Sequence, residues 1–375
     1  MNNTANKKHV TFVLPSLVFG GGIESHTLKL FRHFDRNRFS FSLITLFDHP
    51  ERPDLYNDVP SDIRVIRLAS KGLGHIGTWA SLIRALRALK PDTVVSSMFS
   101  PNTAVRVLKP LFGYRVITRE HNTYEEKKLY HRGIDLGLSF FSDVIVAVAS
   151  DVADFTSRQS FIPRKKFTVI NNGVDIEAID TFLKSAEGDV VRVRKEIGLS
   201  EGEKIVLNVA RIKPTKDHRL LIDAFELFAE THPNYHLVIV GDGSERPVVE
   251  QHIQSKKHAS RVHLLGYRKD VFAWFAAADM FVLSSKREGF PNVGIEAVAF
   301  GLPFISTKVS GASDIIEEGK NGSVVSMRTP EALALSMAHF ADMDVRERTR
   351  IQEISKASAQ RFDINVVTQR YEELF

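Results

Sequence analysis

Short β-branched runs alternate with longer amphipathic stretches along almost the whole chain. Such runs form strands, and stretches of helical period form the crossovers between them. The pattern therefore predicts an α/β protein built from βαβ units with parallel sheets. In the first half strands are predicted at His9–Leu14, Ser40–Leu46, Ile63–Leu68, Thr93–Ser97, Arg115–Thr118, Val144–Ala149 and Phe167–Ile170. Helical patterns lie between several of them, as at Ile23–Phe34 and Thr78–Leu89. The second half repeats the theme. Its strands are predicted at Lys204–Ala210, His236–Val240, Val262–Leu265, Met280–Ser284, Pro303–Thr307 and Ser323–Val325. Its helices are predicted at Asp217–Thr231, Arg246–Lys256, Val293–Phe300 and Pro330–Phe340.

A chain of 375 residues suits two domains, because single cores rarely grow past ~250–300 residues. The boundary falls between Asn172 and Ser200, a segment with Gly173, Gly188 and Gly198 and weak periodicity after Thr181. We therefore expect two doubly wound Rossmann-like domains, residues 1–180 and 181–361, meeting at a cleft that faces the carboxyl ends of their strands. Hydrophobic residues at 43% and charged residues at 25% exclude disordered and low-complexity classes. The absence of cysteine removes disulfides, thiolate metal sites and cysteine nucleophiles, and it fits a reducing compartment. Met1–Lys8 is polar with no signal-peptide-like stretch behind it, and the longest apolar run, Val271–Leu283, contains Asp279 and is too short to span a bilayer. A cytoplasmic protein is expected. The net charge of +5 resides in the first half, whereas the second is nearly balanced. A basic half favours an anionic membrane surface or a phosphate-bearing ligand, or is simply a solvated face.

Open parallel sheets bind ligands at the carboxyl ends of strands, so the loops that follow strands are where chemistry is sought. The first, Pro15 to Glu24, carries Gly20, Gly21 and Gly22 ahead of a helix. Successive glycines permit close approach of a ligand, and the helix start offers free N–H groups to a phosphate or sugar; a turn with no ligand is equally compatible. Arg211, Lys213 and Lys216 lie together after a strand. They suit a diphosphate or form a solvated basic loop. Gly241-Asp242-Gly243 opens like a dinucleotide fingerprint, but Arg246 stands where its last glycine belongs, so a packed turn is favoured.

The loop from Lys286 to Ala297 is the most informative. Glu288 follows a strand and Glu296 lies inside the next helix, with Gly289 and Pro291 shaping the turn between. The helix start at Asn292 and Val293 suits an anion, and Glu296 can accept from a ribose hydroxyl pair. As alternatives, Glu288 is an exposed loop acid and Glu296 an ordinary helix residue, though the apolar run after Glu296 makes an unpartnered acid costly. His121, after the strand Arg115–Thr118, could bond a substrate hydroxyl, carry a proton or serve the structure alone.

Asp342-Met343-Asp344 could hold Mg²⁺ but lies between two helices, far from any strand end, and reads as surface. No spacing suggests zinc, no Walker A or GxSxG motif occurs, and basic residues do not interleave with aromatics as a nucleic-acid groove requires. In Thr78–Leu89, Trp79, Leu82, Ile83, Leu86 and Leu89 share one face beside Arg84, Arg87 and Lys90. Such a helix could lie on a membrane, but core is the stronger reading.

Taken in order, these segments resemble the retaining glycosyltransferases of family four, of the bacterial polysaccharide-biosynthesis type with the GT-B fold. The resemblance covers most of the chain. It rests on Gly20-Gly21-Gly22-Ile23-Glu24, on Asn172-Gly173-Val174-Asp175, on Val209 to Lys216 with Leu220 to Phe225, on Gly241-Asp242-Gly243, and on Gly266 with Asp270-Val271. Most specific is Glu-x7-Glu at Glu288 and Glu296, followed by Ala297, Gly301 and Pro303. Two departures are Asn171, where proline often stands, and Asp217-His218, where glycine or asparagine is common.

The resemblance implies a nucleoside diphosphate sugar donor, a uridine diphosphate sugar above others, bound with no metal or other cofactor. Arg211 and Lys216 would hold the diphosphate, Glu296 the ribose, and Glu288 would face the transferred sugar with the turn Gly289-Phe290-Pro291. Asn292 and Val293 would meet the distal phosphate, Gly21 and Gly22 would close over the diphosphate, Gly241 would line the donor site, and His121 would contact the sugar's outer hydroxyls. Residues 362–375 resemble the family's terminal helix, which returns to the first, acceptor-side domain. The acceptor would be a saccharide, often lipid-linked, placing the protein at the inner face of a membrane. Two other readings stay open. One is a GT-B-type epimerase or phosphorylase, and the other is a non-catalytic sugar-nucleotide-binding subunit of a polysaccharide assembly complex. A nicotinamide oxidoreductase is the weakest option, given the broken fingerprint.

Overall fold

The structure is a computed structural model that describes residues 7–123 and 127–375. The first six residues of the polar N-terminal stretch lie outside that range. The chain forms two units. One comprises the residues up to Gly173 together with Ile364–Phe375, and the other comprises Val174–Asp363.

The first unit holds a parallel sheet of seven strands: β1 (Lys8–Leu14), β2 (Phe39–Thr45), β3 (Arg64–Arg67), β4 (Thr93–Ser97), β5 (Arg115–Glu120), β6 (Val144–Ala147) and β7 (Phe167–Val169). Their order is β3-β2-β1-β4-β5-β6-β7, which reverses direction between β1 and β4. Central strands are buried almost end to end, as expected where helices cover both faces. On one face Phe12, Phe31, Phe34, Phe39 and Phe41 pack with Ile364, Val367, Tyr371 and Phe375 of the chain terminus. The helix Ile364–Glu372 is further tied down by Glu372, which accepts from the Asp35 N–H at 2.8 Å and from Arg38 at 3.3 Å. On the other face the helix Ile76–Leu89 turns Leu82 and Leu86 inward with Trp79, Ile83 and Leu89 beside them. Its apolar stripe is core.

The second unit holds a six-stranded parallel sheet: β8 (Lys204–Val209), β9 (Tyr235–Val240), β10 (Val262–Gly266), β11 (Met280–Leu283), β12 (Phe304–Thr307) and β13 (Gly322–Val325). The order is β10-β9-β8-β11-β12-β13, so its reversal falls between β8 and β11. Helices His218–Thr231 and Pro330–Ala341 cover one face with Leu221, Phe225, Phe228, Leu333 and Met337. Asp344 caps the helix Val345–Ala359 in a reciprocal capping box with Glu347. The Asp-x-Asp segment is thus a helix start on the surface.

Asn172-Gly173-Val174-Asp175 has a physical reading at the junction in sequence between the units. A Cβ on Gly173 would lie 3.1 Å from the Ile364 Cα, so only glycine lets the segment run beside the terminal helix. Asp175 then caps the helix Ile176–Leu183, accepting from the Ala178 N–H at 2.9 Å.

Candidate functional site

In the second unit the polar residues gather where the sheet reverses direction. Arg211 to Asp217 follow β8, and Ser284 to Pro291 follow β11. The two loops are stitched together. The Lys286 N–H donates to the Thr215 carbonyl at 2.8 Å, and the Ser284 hydroxyl donates to the Lys216 carbonyl at 2.9 Å. On the other side the Ile212 N–H donates to the Asp242 carbonyl at 2.9 Å. The loop after β9 comes so close that a Cβ on Gly241, with φ +145°, would sit 1.9 Å from the Ala210 carbonyl oxygen. Gly241 and Gly243 thus make a packed turn that buttresses the cationic loop.

Lys216 donates from Nζ to Glu288, and the Ser285 hydroxyl donates to the same carboxylate oxygen at 2.6 Å. Lys216 and Glu288 stand 72 positions apart in the chain and come from the two strands that flank the reversal. Both side chains are mostly sheltered, at 20% and 13% exposure. Arg211, by contrast, is exposed, and no carboxylate among the described residues pairs with it. One cation is thus held in place by a carboxylate while the other stands open to an anion.

Asp217 explains one departure from the family pattern. Its backbone is left-handed, φ +49° and ψ +54°, a conformation that glycine and asparagine adopt readily and aspartate tolerates. Its carboxylate pairs with Arg328 and, at 3.8 Å, with Lys286. The next residue, His218, is buried with its Nε2 unpartnered, and burial together with neighbouring Lys216 pushes its pKa down to about 4.

Beyond Glu288 the chain turns inward. The Phe290 ring is buried against Gly311, where a Cβ would lie 2.6 Å from it, and 5.8 Å from the Phe362 ring. Only the backbone of the Gly289-Phe290-Pro291 turn is therefore available to a ligand; the expected contact of this turn cannot come from the aromatic side chain. No side chain caps the helix Asn292–Ala299 that follows, and its positive dipole end starts at Asn292 and Val293. Glu296 is half-buried on this helix, whose packing side includes Gly294 set against Phe304.

In the first unit, Gly20 has φ +81°, and Gly21 precedes the helix Gly22–His33, which no side chain caps. A Cβ on Gly21 would meet the Glu24 carboxylate at 1.9 Å. His121 follows β5. Burial and the Arg119 cation hold its pKa well below the usual range, and its Nε2 is enclosed without a hydrogen-bond partner. A ring kept neutral is a poor proton carrier and fits either a hydrogen-bonding or a purely structural role. Arg119 itself is fully buried. It reaches His26 Nδ1 at 3.0 Å and lies over the Tyr371 ring at 5.3 Å. Sequence reasoning missed Ser285 and Arg328, which bear no motif. Asp217 and His218 were visible only as a departure from one, and Arg119 only as a neighbour that could pair with Glu120, whereas Glu120 instead accepts from Asn102 at 3.2 Å.

Among the described residues no three His, Asp or Glu side chains converge as a metal-holding group, and no helix is long and apolar enough to cross a membrane.

Two parallel-sheet α/β units, the second with a cationic loop at its sheet reversal, define a GT-B protein. HepE from Anabaena, solved in complex with UDP, matches with a TM-score of 0.83 over 97% of this chain and 98% of that one, at 21% identity, a likeness of fold. A family profile described as Glycosyltransferase Family 4 matches residues 20–178, and one described as Glycosyl transferases group 1 matches residues 190–358. The chain belongs to the family 4 glycosyltransferases. The N-acetyl-alpha-D-glucosaminyl L-malate synthase of Bacillus anthracis is 26% identical over 62% of this chain and 59% of that protein, so the match spans less than two thirds of that relative. The UDP-Gal:alpha-D-GlcNAc-diphosphoundecaprenol alpha-1,3-galactosyltransferase of Escherichia coli is 23% identical over 91% of this chain and 90% of that protein.

Proposed function

We propose that this protein moves a glycosyl group from a nucleoside diphosphate sugar to a hydroxyl of a saccharide acceptor, retaining the anomeric configuration. The observation that carries the reading is the Lys216–Glu288 pair with Arg211 open beside it in sequence, at the reversal of the second sheet. Breaking the bond between the anomeric carbon and the diphosphate oxygen leaves negative charge on the departing diphosphate. Arg211 and Lys216 supply fixed positive charge there, and the helix start at Asn292 and Val293 adds a dipole end. Glu296 accepts from the ribose hydroxyls, and Glu288, steadied by Lys216 and Ser285, faces the sugar with the backbone of Gly289-Phe290-Pro291. The acceptor oxygen bonds to the anomeric carbon on the face that the diphosphate leaves, and the leaving phosphate takes the acceptor's proton. No metal is required where cations of the chain neutralise the leaving group.

The E. coli relative's name, with UDP-galactose as donor and a diphosphoundecaprenol acceptor, supports a UDP-sugar and a lipid-linked saccharide. The UDP bound to HepE supports the same base. The reading extends to a cytoplasmic protein whose basic first half rests on the anionic inner face of a membrane. A thermal-shift screen of nucleotide sugars, followed by transfer to undecaprenyl-diphosphate saccharides with the product linkage read by NMR, tests this. An α-linked product from an α-linked donor is expected. Epimerisation of the donor without an acceptor, or binding with no turnover on any donor and acceptor, would overturn it.

A further inference from the structure

The helix Leu129–Leu138 in the first unit is turned inside out. Its buried position holds Asp135, 2% exposed, which accepts from Arg106 at 3.1 Å and pairs with Lys127. Arg106 is equally buried and also donates to Ser142 at 2.8 Å and Thr118 at 3.0 Å. The exposed positions are Leu129, Tyr130, Gly133, Ile134 and Gly137, with no charged residue among them. The stripe runs on into Phe140 and Phe141 in the turn that follows. Leu129 is 76% and Phe140 75% exposed. Single exposed apolar side chains are ordinary, but a continuous stripe above a polar interior is the reverse of what water selects.

We infer that this stripe is the surface by which the protein docks on an anionic lipid bilayer. In choosing the partner, the inference rests on the proposed transfer to a lipid-linked acceptor. Charge selects the occupant. Lys128 stands exposed at one end of the helix. At the other, Lys166 lies over the Phe140 ring at 4.8 Å and donates to the Ser139 carbonyl at 3.0 Å, in one turn with Arg164 and Lys165. Of the acids nearby, Asp143 and Asp154 are each already paired, with Lys109 and Arg164, and exposed Asp151 lines a hollow with Arg132 of this helix. Apolar side chains between cations match a leaflet that offers anionic headgroups above acyl chains. In a second copy joined antiparallel by the same stripe, Lys128 would instead oppose the partner's cationic turn, at a like-charge cost.

The test is flotation of the full-length protein with vesicles of phosphatidylcholine alone or with phosphatidylglycerol. Wild type is expected to float with the anionic vesicles. Leu129→Glu/Phe140→Glu should cut partitioning by about tenfold or more, a shift of about 1.4 kcal/mol, with melting temperature and donor hydrolysis unchanged. Lys128→Glu/Lys165→Glu should abolish the preference for phosphatidylglycerol. Wild type that does not float, or an apolar double variant that floats as wild type does, overturns the inference. So does a lipid-free dimer in sedimentation velocity that the apolar double variant dissociates, without flotation of wild type. If flotation follows the expected pattern while no donor is turned over, the docking surface stands and the transferase reading fails.

Discussion

Arg211→Ala and Lys216→Ala separate chemistry from stability, because the two cations sit differently. Arg211 is exposed and pairs with no carboxylate among the described residues, so its removal should change unfolding free energy by no more than about 0.5 kcal/mol. Lys216 is the cation on Glu288, whose side chain is 13% exposed and would keep only the Ser285 hydroxyl. Leaving that carboxylate short of a partner costs about 1–3 kcal/mol. In a domain of this size each kilocalorie lowers the melting temperature by about 2–4 °C. On turnover the two should converge. Each removes a preorganised charge from the departing diphosphate, an effect of about 2.7–4 kcal/mol on the barrier, or about 10²–10³-fold in rate. Adding Glu288→Gln to Lys216→Ala should recover part of the lost stability and none of the rate. Initial-rate transfer assays alongside urea unfolding read both quantities. Near-normal turnover in both single variants would refute the leaving-group role, and a large stability loss in Arg211→Ala would refute the description of that side chain as unengaged.

Three further outcomes follow from the same structure. The buried His218 ring, with its pKa pushed down to about 4, stays neutral in the folded state through the range where the unfolded ring takes up a proton. Its contribution is therefore fully present above about pH 6.5 and is lost as the pH falls to about 4, on the order of 3 kcal/mol in all. Urea unfolding across that window should show a shallower slope for His218→Leu, and an unchanged slope would contradict the assignment. Gly241→Ala, with φ +145° and the Ala210 carbonyl in the way, should lose several kcal/mol and displace the cationic loop, whereas Gly77→Ala meets open space in the helix Ile76–Leu89 and should lose nothing; equal melting temperatures would refute this. Transfer activity should persist in excess EDTA; complete loss restored by Mg²⁺ would instead place a metal on the diphosphate.

The strands are legible because each is a short β-branched run, the central ones buried on both faces, and their ends shift by only a residue or two between expectation and structure. Helices with an apolar stripe are legible for the same reason. Others are not. Glu187–Glu196 buries only Val193 and Phe99–Phe112 carries Pro101 and Pro110, while Leu129–Leu138 has an apolar face that turns outward around a buried Asp135. Periodicity marks an apolar face but does not say which way it turns, and a nearly all-polar helix leaves no such mark. The strand-end positions of Arg211, Lys216 and Glu288 are readable from the strands before them. Their pairing is not, because sheet order rather than chain order brings Lys216 to Glu288. The inward turn of Phe290 was hidden likewise, since its partners Gly311 and Phe362 lie far along the chain.

A structure solved with UDP tests the whole account most directly. The diphosphate should lie on Arg211 and Lys216, with the ribose hydroxyls on Glu296. A nucleotide seated elsewhere on the second unit, with Arg211 and Lys216 untouched, would contradict it.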